Sequence, residues 1–305
     1  MVRTVFLGTS EFAAAVLERL ALGDHRPQLA LTRPDRPRGR GRQLASPPVA
    51  DTARALGIEL AQPERVNDQA ARERIARARP DVVIVCAFGA LIKEPLLSDY
   101  EILNLHPSLL PRWRGAAPVE RAIMAGDERT GVSIMRLTAG LDSGPVCLAQ
   151  AEPIHATDTH GSLAPRLQAL GGDLLAQALE RIDTGPPLAF AEQDDSAATY
   201  AEKIGPADRL LDPSRPAVEL ERTVRALHPH IGARLQLADG TLLGVHSARV
   251  ADDHARGAGA PAGELTRDGQ RLLYGTERGA LELICVQPPG GRPMDAGAYL
   301  RGHAL

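Results

Sequence analysis

An α/β domain built on a mostly parallel sheet, followed by a smaller antiparallel β domain, is the fold class this sequence predicts. Three observations carry it. Short apolar runs alternate with helix-spaced segments through residues 1–183, the grammar of βαβ units. The run D-V-V-I-V-C-A at 81–87 is apolar without a break after its first residue, as expected of a central parallel strand buried on both faces. From Pro216 the segments shorten and are separated by Gly- or Asp-centred turns, the pattern of a small β-barrel.

Composition sets the outer bounds. At 305 residues and 44% hydrophobic, the chain is long and apolar enough for two domains with a core each. No stretch reaches the roughly eighteen apolar residues of a membrane span, and the opening Met-Val-Arg-Thr-Val reads as a strand rather than a signal peptide. A cytoplasmic location with no membrane partner is therefore expected. Cys86, Cys147 and Cys285 are far apart and embedded in apolar runs, which predicts buried thiols and argues against a disulfide framework or a zinc site. The formal net charge of −3 gives no global signal for nucleic acid, so any polyanion site must be local.

In chain order, residues 2–7 predict a strand that stops at Gly8-Thr9-Ser10, and Phe12, Val16 and Leu20 have helical spacing. This is the first half of a Rossmann-like βαβ unit, but G-T-S-E-F is not the G-x-G-x-x-G fingerprint, so no nicotinamide cofactor is expected. Residues 28–32 read as the second strand. Residues 33–46 then set Arg33, Arg36, Arg38, Arg40 and Arg42 among prolines and glycines with one acid, Asp35. That stretch predicts a solvated loop, neither helix nor central strand. It reads either as a flexible polar loop or as an anion-binding one, since guanidinium suits phosphate forks and stacking on exposed bases. A helix at 48–56 closed by Gly57, a strand at 58–61 and a surface helix at 68–79 follow. Phe88-Gly89-Ala90-Leu91 comes at the carboxyl end of the 81–87 strand, where open α/β sheets bind ligands.

Residues 102–144 are the chemical centre. Asn104 and His106 sit two apart at the end of an apolar run, so on a strand their side chains project to one side. Ser108 to Pro111 forms a rigid apolar turn, Arg112 and Arg114 flank the only tryptophan, Trp113, and Pro118 starts a helix. After a strand at 131–137, Leu141-Asp142-Ser143 lies between Gly140 and Gly144, which puts a carboxylate on a tight turn. An amide donor, an imidazole and a carboxylate suit acyl transfer to an amine without a covalent intermediate. The competing reading is ordinary: Asn and His at strand ends serve as caps and turn formers, and Arg112 and Arg114 as structural ion-pair partners.

A strand at 146–151 and a long helix at 161–183, with Leu163, Leu167, Leu170, Leu174, Leu175 and Leu179 along one side, complete the first domain. Residues 184–215 have linker composition, and the domain boundaries drawn are 1–183, 184–206 and 207–305. Beyond lie a helix at 218–227 and strands at 233–237, 242–248, 263–265, 271–274 and 280–286. His228 and His230 only flank a proline in a turn and His303 is isolated; no His/Cys spacing marks a metal site, so no metal is expected.

The segment N-L-H-P-S-L-L-P, with G-L-D-S-G at a distance, resembles the formyltransferase family that uses 10-formyltetrahydrofolate. S-L-L-P-R-W-R-G-A-A-P and T-G-V-S-I-M are similar to its branch acting on charged initiator tRNA, and the likeness covers nearly the whole chain, including L-E-L-I-C-V-Q-P-P-G-G-R-P-M. The resemblance implies formyl transfer from 10-formyltetrahydrofolate to the α-amino group of methionine on initiator tRNA, supporting translation initiation. It implies Asn104, His106 and Asp142 as catalytic residues, and a donor lying against Phe88, Gly89, Leu91 and the turn Ser108, Leu109, Leu110, Pro111. Arg36, Arg38, Arg40 and Arg42, with Lys203, are implied as tRNA contacts, an OB-like C-terminal barrel as a tRNA-binding domain, and a monomer as the working form.

Three departures stand out. Phe88 replaces a tyrosine common in relatives, His230 and Ile231 stand where an aromatic is common, and residues 207–305 balance about twelve arginines against about twelve carboxylates. The tRNA grip therefore falls more heavily on the arginine loop. The alternative acceptor, an amino sugar or glycinamide ribonucleotide, fits the signature alone but needs neither barrel nor arginine loop. A non-catalytic RNA-binding relative is disfavoured by the intact Asn104, His106 and Asp142.

Overall fold

A computed structural model describes residues 1–38, 43–252 and 260–303. In chain order its elements are β1 (Thr4–Gly8), α1 (Glu11–Leu22), β2 (Leu29–Leu31), β3 (Arg36–Arg38), β4 (Gln43–Ala45), α2 (Pro48–Leu56), β5 (Glu59–Ala61), α3 (Gln69–Ala78), β6 (Val82–Cys86), α4 (Leu96–Asp99) and β7 (Ile102–His106). There follow β8 (Arg114–Gly115), α5 (Pro118–Ala125), β9 (Arg129–Arg136), β10 (Val146–Pro153), α6 (His160–Thr184), β11 (Tyr200–Ala201), α7 (Ala217–Leu227), β12 (Ala233–Gln236), β13 (Leu242–Val250), β14 (Leu265–Asp268), β15 (Arg271–Gly275), β16 (Ala280–Gln287), β17 (Met294–Asp295) and α8 (Ala296–Gly302). The chain divides into two compact units: Met1–Gly115, Thr130–Pro153 and Ala164–Tyr200 form the first, and Ala116–Arg129, Ile154–Leu163 and Ala201–Leu305 the second.

The first unit is built on a seven-stranded sheet of order β10-β9-β7-β6-β1-β2-β5. β5, β2, β1, β6 and β7 run parallel, and β9 pairs antiparallel with β7. Every residue of β1 and β6 is buried, which is why both read as unbroken apolar runs. Local signals fix the helices. Ser10 caps α1 by accepting from Ala13 N, and Ala13, Val16, Leu17 and Leu20 bury one face. Asp68 caps α3 in the same way, and α2 ends where Gly57 takes a left-handed φ of 64° and returns its N–H to Ala53 O and Arg54 O.

The winding is what positions a site. β1, β2 and β5 step one way across the sheet and β6 and β7 the other, so strand order reverses between β1 and β6. Ligands of open α/β sheets bind outside the carboxyl ends of the strands at such a reversal.

Residues 33–46 depart from the expected loop. β3 and β4 pair antiparallel as a sheet of their own, with Arg36 opposite Ala45 and Arg38 opposite Gln43. A two-stranded ribbon has open edges on both sides, so Pro37 is tolerated there where a central strand would exclude it. Arg40 and Arg42 lie outside the described residues.

The second unit is an antiparallel sheet of order β12-β13-β16-β15-β14, with β17 on β16. Leu220, Val224 and Leu227 of α7 and Tyr299 and Leu300 of α8 join Leu235, Leu243, Leu272, Leu281 and Leu283 in one core. Among the described residues no ladder joins β12 to β14, so the antiparallel β domain stands but the closed barrel does not. β14 starts at Leu265, after the turn at Gly263, and α8 was not foreseen; Asp295 caps it by accepting from Ala298 N.

Several arginines of this unit are engaged. Glu282, 5% exposed, takes a two-pronged pair from Arg249 (3.0 and 2.9 Å) and further bonds from Arg271 (3.0 and 2.6 Å). Burial opposes its charge, but these bonds outweigh burial and hold its carboxyl below the usual range. Arg215 and Arg225 pair with Glu219 and Glu221 one helical turn away. Part of the charge-balanced composition is thus paired.

All three thiols are free: Cys86 is buried, but Cys147 and Cys285 are only partly buried, Cys147 on the edge strand β10, which holds no fully buried residue. No helix among the described residues is long and apolar enough to cross a membrane.

Candidate active site

β7, β6 and β1 are neighbours in the sheet, and the loops leaving their carboxyl ends carry the residues singled out above. Thr9 Oγ1 donates to Phe88 O at 2.7 Å across the reversal point, and the Arg33 guanidinium donates to Gly89 O. Asn67 donates from Nδ2 to Leu91 O and accepts at Oδ1 from Lys93 N, both at 2.8 Å. These bonds pin the turn at 88–93 beside a cleft of about 410 Å³ lined by Arg33, Asn67, Phe88, Ala90, Leu91 and Lys93 among others. Phe88 is buried in the core, so it offers the cleft little more than a ring edge, whereas Leu91 stands 65% exposed. Leu109, Leu110 and Pro111 are half-buried and do not line this cleft.

Asn104 and His106 end β7 on one side of the strand, 7% and 5% exposed. The turn after them is tied to β9: Ser133 Oγ donates to Ser108 O at 2.8 Å and accepts from Leu110 N at 3.1 Å, while Ser108 Oγ donates to Arg112 O at 2.6 Å. Ser108 has no exposed surface, so it shapes the turn and corrects its reading as a ligand contact. Arg112 places its guanidinium 4.4 Å from the Trp113 ring centre.

The chain then folds Trp113, at φ 64°, so that its carbonyl accepts from His106 Nε2 at 2.8 Å. A carbonyl only accepts, so Nε2 carries the proton and Nδ1 is left as the ring's working nitrogen. Nδ1 faces Asp142 Oδ2 at 3.7 Å, beyond hydrogen-bond length but close enough to stabilise an imidazolium. Asp142 itself sits at φ 45° and is held by Gly115 N, which donates to Oδ2 at 2.8 Å. The bond that fixes the ring's tautomer is therefore the one to the Trp113 carbonyl.

Three residues missed from the sequence complete the frame. Gln193 Nε2 donates to Asp142 O at 2.9 Å and Gly144 O at 2.7 Å, and its Oε1 accepts from Arg114 Nε at 3.0 Å. Arg114, 3% exposed, also pairs with Asp195 at 2.7 Å, which settles it as a structural partner of a carboxylate. Trp113 N donates to Thr199 Oγ1 at 2.9 Å, and Arg114 N to Thr199 O at 2.9 Å. Linker composition hid Gln193, Asp195 and Thr199; no local pattern marks an isolated amide as a clamp. Removing Gln193 frees the Asp142 turn without touching a reacting group. A Gln193→Ala enzyme should lose about 10- to 100-fold in turnover, the scale of a roughly 1 Å misplacement, with donor affinity within a few-fold, as read by single-turnover kinetics and equilibrium titration of the folate.

The residues expected to meet tRNA fall in different units. Arg36, exposed, pairs with Glu64 at 2.8 Å, Arg38 ends β3, and Lys203 is exposed in the second unit.

Residues 2–179 match the formyl transferase family and residues 203–304 the formyl transferase C-terminal domain. The methionyl-tRNA formyltransferase of Halorhodospira halophila (strain DSM 244 / SL1) is 43% identical over 309 residues, covering 99% of this chain and 97% of the relative. The chain belongs to the methionyl-tRNA formyltransferase family. A second methionyl-tRNA formyltransferase, from Ectopseudomonas mendocina (strain ymp), is 42% identical over 294 residues, covering 96% of this chain and 92% of its own. Among solved structures, an N-formyltransferase from Helicobacter canadensis in complex with folinic acid and dTDP-3-aminofucose has a TM-score of 0.66 at 14% identity, over 93% of this chain and 99% of that one. HypX from Aquifex aeolicus in complex with tetrahydrofolic acid has a TM-score of 0.64 at 16% identity, over 98% of this chain and 47% of that one. At such identities these two speak for the fold alone, whereas the methionyl-tRNA formyltransferases speak for the family.

Proposed function

We propose that this enzyme transfers the formyl group of 10-formyltetrahydrofolate to the α-amino group of methionine on charged initiator tRNA. The observation that carries the chemistry is the approach of His106 Nδ1 to Asp142 Oδ2, 3.7 Å, beside Asn104 at the end of β7. The methionine amine attacks the formyl carbon as the free base. A C–N bond forms, the carbonyl oxygen takes up negative charge, and the bond from carbon to the folate nitrogen then breaks. The Asn104 carboxamide is the donor for the developing oxyanion, and His106, protonated on Nδ1, is a second one. Asp142 stabilises that imidazolium and accepts the proton lost by the amine, which passes on to the departing folate nitrogen. The donor lies against the turn at 88–93 and reaches toward the Asp142 turn, with Leu91 as its apolar contact and backbone groups as its polar ones.

The arginine-rich hairpin of β3 and β4 carries the grip on the acceptor arm, because it gathers arginines around a single acid, whereas several of the second unit's arginines are committed to carboxylates. The protein acts as a monomer in the cytoplasm in this reading. An assay with radiolabelled formyl donor and three acceptors, charged initiator tRNA, charged elongator tRNA and glycinamide ribonucleotide, tests it. Label on the initiator tRNA with little on the other two is the expected result. Preferred labelling of the ribonucleotide, or of an amino sugar added as a fourth acceptor, overturns the reading.

A further inference from the structure

Three ligating side chains from distant segments meet in the second unit. Glu120 lies in the first turn of α5, His160 opens α6, and His230 stands in the turn after α7. His230 Nε2 is 2.9 Å from Glu120 Oε1, His160 Nε2 is 3.9 Å from the same oxygen, and one ligand atom from each of the three lies within 4.8 Å of the others. The two imidazoles stack with ring centres 3.7 Å apart.

As a purely protonic arrangement this is poorly matched. One carboxylate faces two imidazoles, and at 3.9 Å the second is beyond hydrogen-bond reach. Glu120 and His160 have also given up most of their water, with side chains 13% and 23% exposed. A tetrahedral ion with bonds of about 2.0 to 2.2 Å needs ligand atoms roughly 3.4 Å apart, and the 2.9 and 3.9 Å separations bracket that value. His230, 33% exposed, has room to turn.

We propose that Glu120, His160 and His230 form a binding site for a divalent transition-metal ion of the Zn²⁺ class. Two imidazoles and a carboxylate are the donor set for zinc and its neighbours, whereas Ca²⁺ and Mg²⁺ select oxygen. On binding, the ion takes the place of the hydrogen between His230 Nε2 and Glu120, and the neutral ring then carries its one proton on Nδ1. A water fills the fourth position. The segments of His160 and His230 already touch through Gly161 N donating to His228 O at 3.1 Å and Arg225 donating to Asp158 O at 2.7 Å, and the ion ties the segment of Glu120 to both. Its role is to brace the unit. Sequence spacing gave no hint, because 40 and 70 residues separate the three ligands.

The test uses tag-free, full-length protein stripped with chelator and titrated with Zn²⁺ by calorimetry, with bound metal counted by mass spectrometry after gel filtration. About one equivalent is expected, with a melting temperature that rises with free Zn²⁺. His230→Gln and Glu120→Gln should each weaken binding by more than the roughly 10- to 100-fold that loss of an outer-shell partner costs, and abolish the thermal shift. His246→Gln, whose ring bonds to Gln287, should leave both unchanged. Co²⁺ loaded in place of Zn²⁺ should show the visible bands of a tetrahedral site. Circular dichroism and the metal-free melting temperature of each variant separate lost ligation from lost folding. Wild-type protein that takes up no Zn²⁺ overturns the proposal whatever the variants do. So does stoichiometric uptake that survives both substitutions. Formyl transfer is not a readout here, since divalent ions also act on RNA.

Discussion

Replacing His106 by alanine should cut single-turnover formyl transfer by about two to four orders of magnitude, while the folate binds nearly as before. The ring's Nε2 proton is engaged by Trp113 O, so the only nitrogen left to work is Nδ1, and alanine removes it together with the imidazolium that Asp142 would stabilise. Asn104→Ala and Asp142→Ala should fall in the same range. Their effects should not add, because the three act on one proton and one oxyanion; the triple variant should be little worse than the worst single one. Donor affinity is the control, since Phe88, Leu91 and the bonds that pin their turn are untouched. A His106→Ala enzyme that kept most of its turnover would remove the histidine from the mechanism.

The second large effect is on RNA affinity. Each arginine that neutralises a phosphate releases counterions, so affinity for charged tRNA should fall with salt at a slope of about 0.7 to 0.9 per contact. Replacing Arg36, Arg38 and Arg40 together by glutamine should flatten that slope by about two to three units and weaken binding at low salt accordingly. The Arg36 pair with Glu64 does not argue against this: both side chains are more than half exposed, and a surface pair of that kind holds its arginine weakly. An arginine that instead stacks on a base at the end of the acceptor stem costs affinity without changing the slope. Filter binding across a salt series separates the two. Wild-type affinity and slope in the triple variant would make the hairpin a solvated tether.

Much of the first unit was legible because its signals are local. Gly57 ends α2 and the apolar run at 81–87 is β6 with one residue trimmed from each end, since a helix cap and a doubly buried strand are written in adjacent residues. Asn104 and His106 were legible as a pair for the same reason, a strand's period of two. Where pairing partners lie farther off, the reading failed. Arginines interleaved with proline and glycine have no strand propensity, yet β3 and β4 pair; the barrel's turns were visible, but its closure depends on strands that meet only in space. Ser108 looked like a contact residue and proved a fully buried tie, because its bonds run to Ser133, a residue on another strand.

The clamp made by Gln193, Asp195 and Thr199 changes where this protein can be cut. The long helix α6 ends at Thr184, and composition alone invites a truncation there to isolate a catalytic fragment. Such a fragment would keep Asn104, His106 and Asp142 and lose every bond that Gln193 and Thr199 make to the turns presenting them. Any fragment that keeps those bonds must therefore run at least through Tyr200, where the last segment of the first unit stops. Anyone grafting this chemistry onto another scaffold would have to carry the tail along, and a fusion joined at residue 184 would put its foreign sequence where the site's own buttress belongs.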